Sequence, residues 1–329
     1  MLTSLPRSSE VSLILGPQIS TYKHATLSQS LAFDKLFSES DKPIKVEGVT
    51  ACALSPVSGR YLVLCDDCKR VLVFESVDGV WSYRGEYKVP RRASCAAITP
   101  DDSCILVGEK GGYVHTYNLS ELNTAQAAAG DEDEGDLMLG HLSLLTCLAV
   151  STDGKLMATA DRDEKIRDGT LRLWEAPTGA ELDCLKLDPH LKEFGDCNTT
   201  ETAEAFLAIR LCSIEGLIIV GIRSQNCLLA VSMSRHEGQV RFKRSVVSGS
   251  AVVSGVSFKS GDRLLDCTLV NYEPTKSTAD VITLMEPTLK ITMCLLRIPA
   301  DEDDTPAQWS NVSYKSVVTK NYSQRIIIN

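Results

Sequence analysis

The sequence predicts an all-β fold built from repeated four-stranded units, and three observations carry that prediction. The first is self-similarity. Thr50-Ala-Cys-Ala-Leu-Ser55, Ser94-Cys-Ala-Ala-Ile-Thr99 and Thr146-Cys-Leu-Ala-Val-Ser151 each open on a hydroxyl, pass through small or apolar residues, and end on a second hydroxyl. The second is a shared continuation. Each segment runs into a polar turn (56–59, 100–103, 152–155) and then another apolar run, Tyr61-Leu-Val-Leu64, Ile105-Leu-Val107 or Leu156-Met-Ala158. The third is spacing, 44 residues between the first two segments and 52 between the next, the excess being an acidic insertion. A period in the low-to-mid forties made of short strands is the length of one four-stranded propeller blade. Ala53, Ala97 and Ala149 recur where an inner strand crowds a central channel.

The same rhythm places the remaining elements. Residues 205–209, 217–220 and 228–231 read as three strands of one blade, and 252–258, 263–270 and 279–284 as another. Residues 292–298 and 11–15 read as sharing a final blade, which closes the ring and hides both sheet edges. One propeller domain therefore spans 1–300, with an acidic inter-blade loop at 125–136. A tail covers 301–329 and opens on Asp301-Glu-Asp-Asp304.

Composition bounds the function. With 43% hydrophobic and 23% charged residues over 329, the chain has material for a large core. A net charge of −9 opposes a free-standing nucleic-acid binder, which needs a basic footprint to neutralise phosphates. The 12 cysteines are scattered through apolar runs and read as small core residues of a reducing compartment. No signal peptide is evident and no stretch approaches the ~20 apolar residues of a membrane span, so the expectation is an intracellular, soluble protein with no membrane contact.

No constellation of catalytic residues stands out. GxSxG, HExxH, P-loop and GxGxxG patterns are absent. Gly108-Glu-Lys-Gly-Gly112 lies between two strands rather than before a helix, and reads as a blade turn. Cys65-Asp-Asp-Cys68 has metal-like spacing, but zinc needs a second pair nearby; a strand cysteine and a turn cysteine explain it better. The expectation is no catalytic residue, no cofactor and no metal. The acidic run 131–136 reads as a solvated loop. His141 reads as a histidine that hydrogen-bonds inside its own repeat.

The unusual segment is Ala160-Asp-Arg-Asp-Glu-Lys-Ile-Arg167, where Arg162, Asp163, Glu164, Lys165 and Arg167 surround a single apolar Ile166. Along a strand, Lys165 and Arg167 share one face and Ile166 takes the other. Composition alone is equally consistent with a solvated turn of self-neutralising charge. Mixed charges on a rigid edge also steer and register a protein partner.

Family resemblance sharpens this reading. Gly140-His141 ahead of the third unit, with Trp174-Glu175 after it, is similar to the GH…WD signature of WD-repeat propellers. The run 96–167, with Ile98-Thr-Pro, the Ile105-to-Gly112 run, Gly140-His-Leu-Ser-Leu-Leu and the octapeptide ADRDEKIR, closely resembles the WD-repeat non-catalytic subunit of tRNA (guanine-N7-)-methyltransferase. That resemblance implies a propeller of six to seven four-stranded blades that is not itself an enzyme. It implies a heterodimer with an S-adenosylmethionine-dependent catalytic subunit making 7-methylguanosine in the tRNA variable loop. It further implies tRNA contact only through the complex, and a location in the nucleus, with the cytoplasm as a second site. The family's subunit contact falls here on Arg162, Asp163, Glu164, Lys165 and Arg167.

One departure stands out. After Arg167 the chain runs straight into Asp168-Gly-Thr-Leu-Arg-Leu-Trp174-Glu175, which resembles the end of the following family blade. One blade is thus deleted or fused at 167/168, with roughly 35 residues of the repeat missing, unless 161–169 is one long hairpin. The rival functional reading is a generic WD-repeat adaptor for another assembly, a ubiquitin ligase or a chromatin complex. An enzyme acting in the propeller channel is a remote third.

Overall fold

In the computed structural model, residues 1–4, 10–15, 18–23, 26–32, 46, 48–122, 135–141, 143–162, 169–176, 178–187, 190, 193–194, 208–214, 216–222, 226–236, 238–258, 263–286, 290–298 and 305–315 are described. They form antiparallel sheets whose strands follow one another in chain order. The first sheet holds β1 (Leu2–Ser4), β2 (Glu10–Leu15), β3 (Gln18–Lys23) and β4 (Thr26–Ala32). The second holds β5 (Val49–Leu54), β6 (Tyr61–Asp66), β7 (Arg70–Val77) and β8 (Val80–Lys88). The third holds β9 (Ala93–Ile98), β10 (Cys104–Glu109), β11 (Tyr113–Asn118) and β12 (Asp136–Gly140). The fourth holds β13 (Leu144–Val150), β14 (Leu156–Arg162), β15 (Gly169–Glu175) and β16 (Ala180–Lys186).

The fifth sheet contains β17 (Ala208–Ile214), β18 (Leu217–Ile222), β19 (Cys227–His236), β20 (Gln239–Phe242) and β21 (Val253–Ser257). The sixth contains β22 (Arg263–Glu273), β23 (Thr278–Glu286), β24 (Lys290–Arg297) and β25 (Gln308–Lys315). The first strands lie side by side in the order β1, β5, β9, β13, β17, β22, and β22 returns to β1. That cyclic order is a propeller.

The repeated hydroxyls have identifiable backbone roles. The one that ends each segment closes the turn between first and second strands. Ser55 Oγ accepts from the Tyr61 amide at 3.1 Å, Thr99 Oγ1 from Cys104 at 3.0 Å, and Ser151 Oγ from Leu156 at 3.0 Å. The opening hydroxyl ties the first strand to the second. Ser94 donates to the Gly108 carbonyl at 3.2 Å, and Thr146 to that of Ala160 at 3.0 Å. Thr50 Oγ1, in the same place, is buried without a partner.

The core lies between neighbouring sheets rather than in one central mass. Val63, Val73, Ile98 and Ile105 fill the space between the second and third sheets. Leu145, Met157, Leu171 and Ile218 do so from the third sheet to the fifth. Side chains of this kind stabilise by roughly 1.5–3 kcal/mol each when fully buried. Alternation puts them on both sheet faces, because each blade is covered by a neighbour on either side.

The structure corrects the expected architecture in several places. Among the described residues there are five four-stranded sheets and one five-stranded sheet, rather than six to seven four-stranded blades. Residues 253–257 were expected with the following blade, yet β21 pairs with β19. The cause is length. β19 offers Cys227–Val231 to β21 and Met233–His236 to β20, so two short strands share its outer edge. The chain ends do not share a blade either: β2 belongs to the first sheet and β24 to the last. These two sheets meet instead through Ser4 Oγ, which lies 2.7 Å from Thr268 Oγ1 and 2.6 Å from the Leu269 carbonyl oxygen. Within the segment read as a tail, β25 completes the last sheet by pairing with β24. The acidic loop lies outside the described residues up to 134, and Asp136 opens β12.

Candidate partner-binding site

The charged turn grows from the hairpin between β14 and β15. Those strands pair in unbroken register from Leu156↔Glu175 to Arg162↔Gly169. The two sides of the 167/168 join are therefore neighbouring strands of one four-stranded sheet. The join itself, where a fused blade or a long hairpin was expected, lies outside the described residues.

A buried hydrogen-bonded chain holds the base of this hairpin. Trp174 Nε1 donates to Thr159 Oγ1 at 2.7 Å, and that oxygen lies 2.9 Å from His141 Nε2. His141 Nδ1 lies 2.7 Å from Asp161 Oδ2, and Thr170 donates to Asp161 Oδ1 at 2.6 Å. The donors run consistently if Thr159 donates to Nε2 and Nδ1 carries the imidazole proton, an assignment made from the network. The His141 and Trp174 rings meet edge to face with centroids 5.3 Å apart. Thr159, Asp161, Trp174 and His141 are all buried. Burial alone would push the Asp161 carboxyl up, but its hydrogen bonds to His141 and Thr170 and the nearby Arg172 outweigh it. The carboxyl is held below its ordinary range.

His141 thus has the within-repeat role expected of it. Thr159 as its partner, and Thr170 and Arg172 as partners of Asp161, were not foreseen, although a hydroxyl two residues before Asp161 on an alternating strand was the available signal. Arg172 reaches across the sheet, 3.5 Å from Asp161 and 2.6 Å from Glu181.

The sheets before this one also bury a carboxylate at this position. Asp66 and Glu109 end β6 and β10 as Asp161 nears the end of β14, and all three carboxylates are buried. Asp66 accepts from the Cys68 and Arg70 amides at 2.9 and 3.1 Å and from the Arg70 guanidinium at 2.5 Å. This explains the CDDC spacing without a metal. Cys65 is a buried strand residue and Cys68 an exposed turn residue. Glu109 lies 3.3 Å from His115. The glycine-rich run 108–112 is the turn from β10 to β11. Gly112 sits at φ +94°, and a Cβ there would lie 2.5 Å from the His141 carbonyl oxygen.

Of the five residues assigned to partner binding, Arg162 is the last residue of β14, paired with Gly169. Asp163, Glu164, Lys165 and Arg167 lie outside the described residues. Both ends of the segment that carries them are fixed by the hairpin and the Asp161 network. The ends of β14 and β15 at Arg162 and Gly169 open on the face that also carries the turns 66–70 and 109–113, since each joins a second strand to a third.

Comparison with known proteins agrees with this geometry. The family model described as "WD domain, G-beta repeat" matches residues 136–175, which run from β12 through the hairpin to Trp174-Glu175. The chain is 32% identical to the tRNA (guanine-N(7)-)-methyltransferase non-catalytic subunit of Mus musculus, over 40% of this chain and 38% of that protein. It is 30% identical to the Xenopus laevis subunit, over 51% of this chain and 49% of that protein. With the subunit of Candida glabrata the identity is 27% over 35% of this chain and 28% of that protein. The chain spans half the length or less of these relatives. The 169 aligned positions of the mouse match fall on only 40% of 329 residues, so within that span the mouse protein has residues this chain lacks.

Among solved structures, Kluyveromyces lactis Hsv2 superposes with a TM-score of 0.52 at 11% identity, covering 96% of this chain and 86% of that one. A chain of the mitotic checkpoint complex does so with a TM-score of 0.52 at 12% identity, covering 96% and 80%. These likenesses establish the fold. The protein is a β-propeller with a WD-repeat match at residues 136–175, and it resembles the non-catalytic subunits of tRNA (guanine-N7-)-methyltransferase.

Proposed function

We propose that this chain is a non-catalytic scaffold that binds and stabilises the catalytic subunit of tRNA (guanine-N7-)-methyltransferase, supporting 7-methylguanosine formation in the tRNA variable loop. The observation that carries this reading is the hairpin stem at Arg162↔Gly169, anchored by Asp161, between whose ends the rest of the ADRDEKIR segment falls in sequence. The names of the relatives support the same assembly. Arg162, Asp163, Glu164, Lys165 and Arg167 form the contact, and tRNA is reached through the complex. The complex works in the nucleus, with the cytoplasm as a second location. The five-stranded sheet serves as a sixth blade, its outer strand split into β20 and β21.

The test is Lys165→Glu and Arg167→Glu, singly and together, each with thermal unfolding, pull-down of the catalytic subunit, and methyl transfer to tRNA. Loss of a partly buried cross-interface charge pair costs about 2–5 kcal/mol of binding, whereas exposed charges change folding within ~0.5 kcal/mol. Intact assembly of the double variant would remove the role given to this turn. The same pair should be made in a chain with the missing segment restored. Binding by the restored chain alone would show that the join, not the family assignment, prevents assembly.

A further inference from the structure

The opposite face of the ring carries a second feature that the methyltransferase reading does not use. Turns between first and second strands, and between third and fourth, all open on this face. Between the third and fourth sheets they enclose a groove of about 810 Å³, within the ~300–1,000 Å³ range of binding pockets. Leu106, Val150 and Ala176 are buried at its base, with Met138 half-buried in its wall. Val57 and Leu137 stand at its rim, each 61% exposed. Large apolar side chains held in water beside a cleft and edged by polar groups mark interaction surfaces.

The charged residues lining this groove are carboxylates, with Lys155 beside Asp153 outside the lining. Asp101 and Asp153 line it, and no lysine or arginine does. Each carboxylate is fixed by its own turn through one oxygen. Asp101 Oδ1 accepts from the Ser103 amide at 3.1 Å and its hydroxyl at 2.8 Å. Asp153 Oδ1 accepts from the Ser151 hydroxyl at 2.6 Å and the Lys155 amide at 3.1 Å. Neighbouring Asp102 adds a third carboxylate, accepting from Ser58 at 2.6 Å through Oδ2 while its buried Oδ1 has no partner. Fixed carboxylates flanking an apolar floor complement a cation beside an aliphatic group.

We propose that this groove docks a short extended segment of a partner protein, one carrying a lysine or arginine adjacent to an aliphatic side chain. The cation sits between Asp101 and Asp153, and the aliphatic side chain enters beside Leu137 and Met138. Because β14 and β15 end at Arg162 and Gly169 on the other face, both surfaces can be occupied at once, and a partner here does not compete with the proposed methyltransferase subunit.

The test is selection of a displayed library of random 12-residue peptides on the full chain, in parallel with the Asp101→Lys/Asp153→Lys chain and with Leu137→Glu. Expected is a consensus with a basic residue one to three positions from a leucine, isoleucine, valine or methionine. The strongest peptide, labelled and titrated by fluorescence anisotropy, should bind each variant at least tenfold more weakly. Leu137→Glu changes an exposed side chain, so an unchanged melting curve separates lost docking from lost folding. Three results would overturn the proposal: no consensus, an acidic one, or a peptide whose affinity both variants leave intact. None of these outcomes bears on the assembly test at Lys165 and Arg167.

Discussion

Replacing Asp161 with alanine tests the link between the buried network and the turn it supports. The carboxylate accepts from Thr170 at 2.6 Å and lies 2.7 Å from His141 Nδ1, with Arg172 at 3.5 Å. Hydrogen bonds to a charged group are worth ~1.5–3 kcal/mol each. Their loss also strands the buried imidazole of His141, for a total of about 3–5 kcal/mol. At ~2–4 °C per kcal/mol for a chain of a few hundred residues, the melting temperature should fall by roughly 6–20 °C. Asp161→Asn keeps the shape and one acceptor, so it should cost about half as much.

The acid limb supplies an independent check. The folded carboxyl lies below its ordinary range, whereas in the unfolded chain it titrates near ~3.9. Its contribution is therefore fully present above that pH and is lost as pH falls through the lower folded value. Below about pH 4 the native chain should lose stability more steeply than Asp161→Asn. Urea unfolding of both chains at several pH values measures this. A cost below ~1 kcal/mol for Asp161→Ala, or parallel acid limbs, would refute the role assigned to the carboxylate. If the network also orients the charged turn, Asp161→Ala should weaken capture of the proposed catalytic partner at a temperature where the chain is still folded.

Single positions give further expected outcomes. Gly112→Ala combines a left-handed backbone with a Cβ 2.5 Å from the His141 carbonyl oxygen and should cost about 2–4 kcal/mol, measured by urea unfolding. Thr146→Val loses a hydrogen bond to Ala160 and should cost about 1 kcal/mol, whereas Thr50→Val removes a buried hydroxyl with no partner and should be neutral or stabilising. Calorimetry on the isolated chain should show no saturable S-adenosylmethionine binding, since no glycine-rich strand-to-helix turn occurs in the sequence. With a net charge of −9, tRNA binding by the chain alone should be weak and only slightly salt-dependent, which filter binding across a salt series measures.

Much of the fold was legible because strands and tight turns are local devices. The hydroxyls at Ser55, Thr99 and Ser151 marked turns that they close with their own side chains. Alternating apolar runs located the strands of the second, third and fourth sheets, and Gly140-His141 with Trp174-Glu175 located the fourth sheet's signature. The candidate turn was legible as a charged octapeptide. Its stem was not, because Thr170 and Arg172 meet Asp161, and Trp174 meets Thr159, only after β14 and β15 pair.

Sequence by itself determined the strand content, the repeat and the chemistry of the turns, since each depends on residues within a few positions of one another. Tertiary structure alone decided which sheet each strand joins. β21 turns back to β19 because that strand is long enough to hold two partners on one edge. The first and last sheets meet through Ser4, Thr268 and Leu269, residues some 264 positions apart whose pairing no local pattern encodes. β14 and β15, on either side of the 167/168 join, pair within one sheet for the same reason. Sheet membership is set by hydrogen bonds between strands, and those bonds are indifferent to which repeat a strand was drawn from.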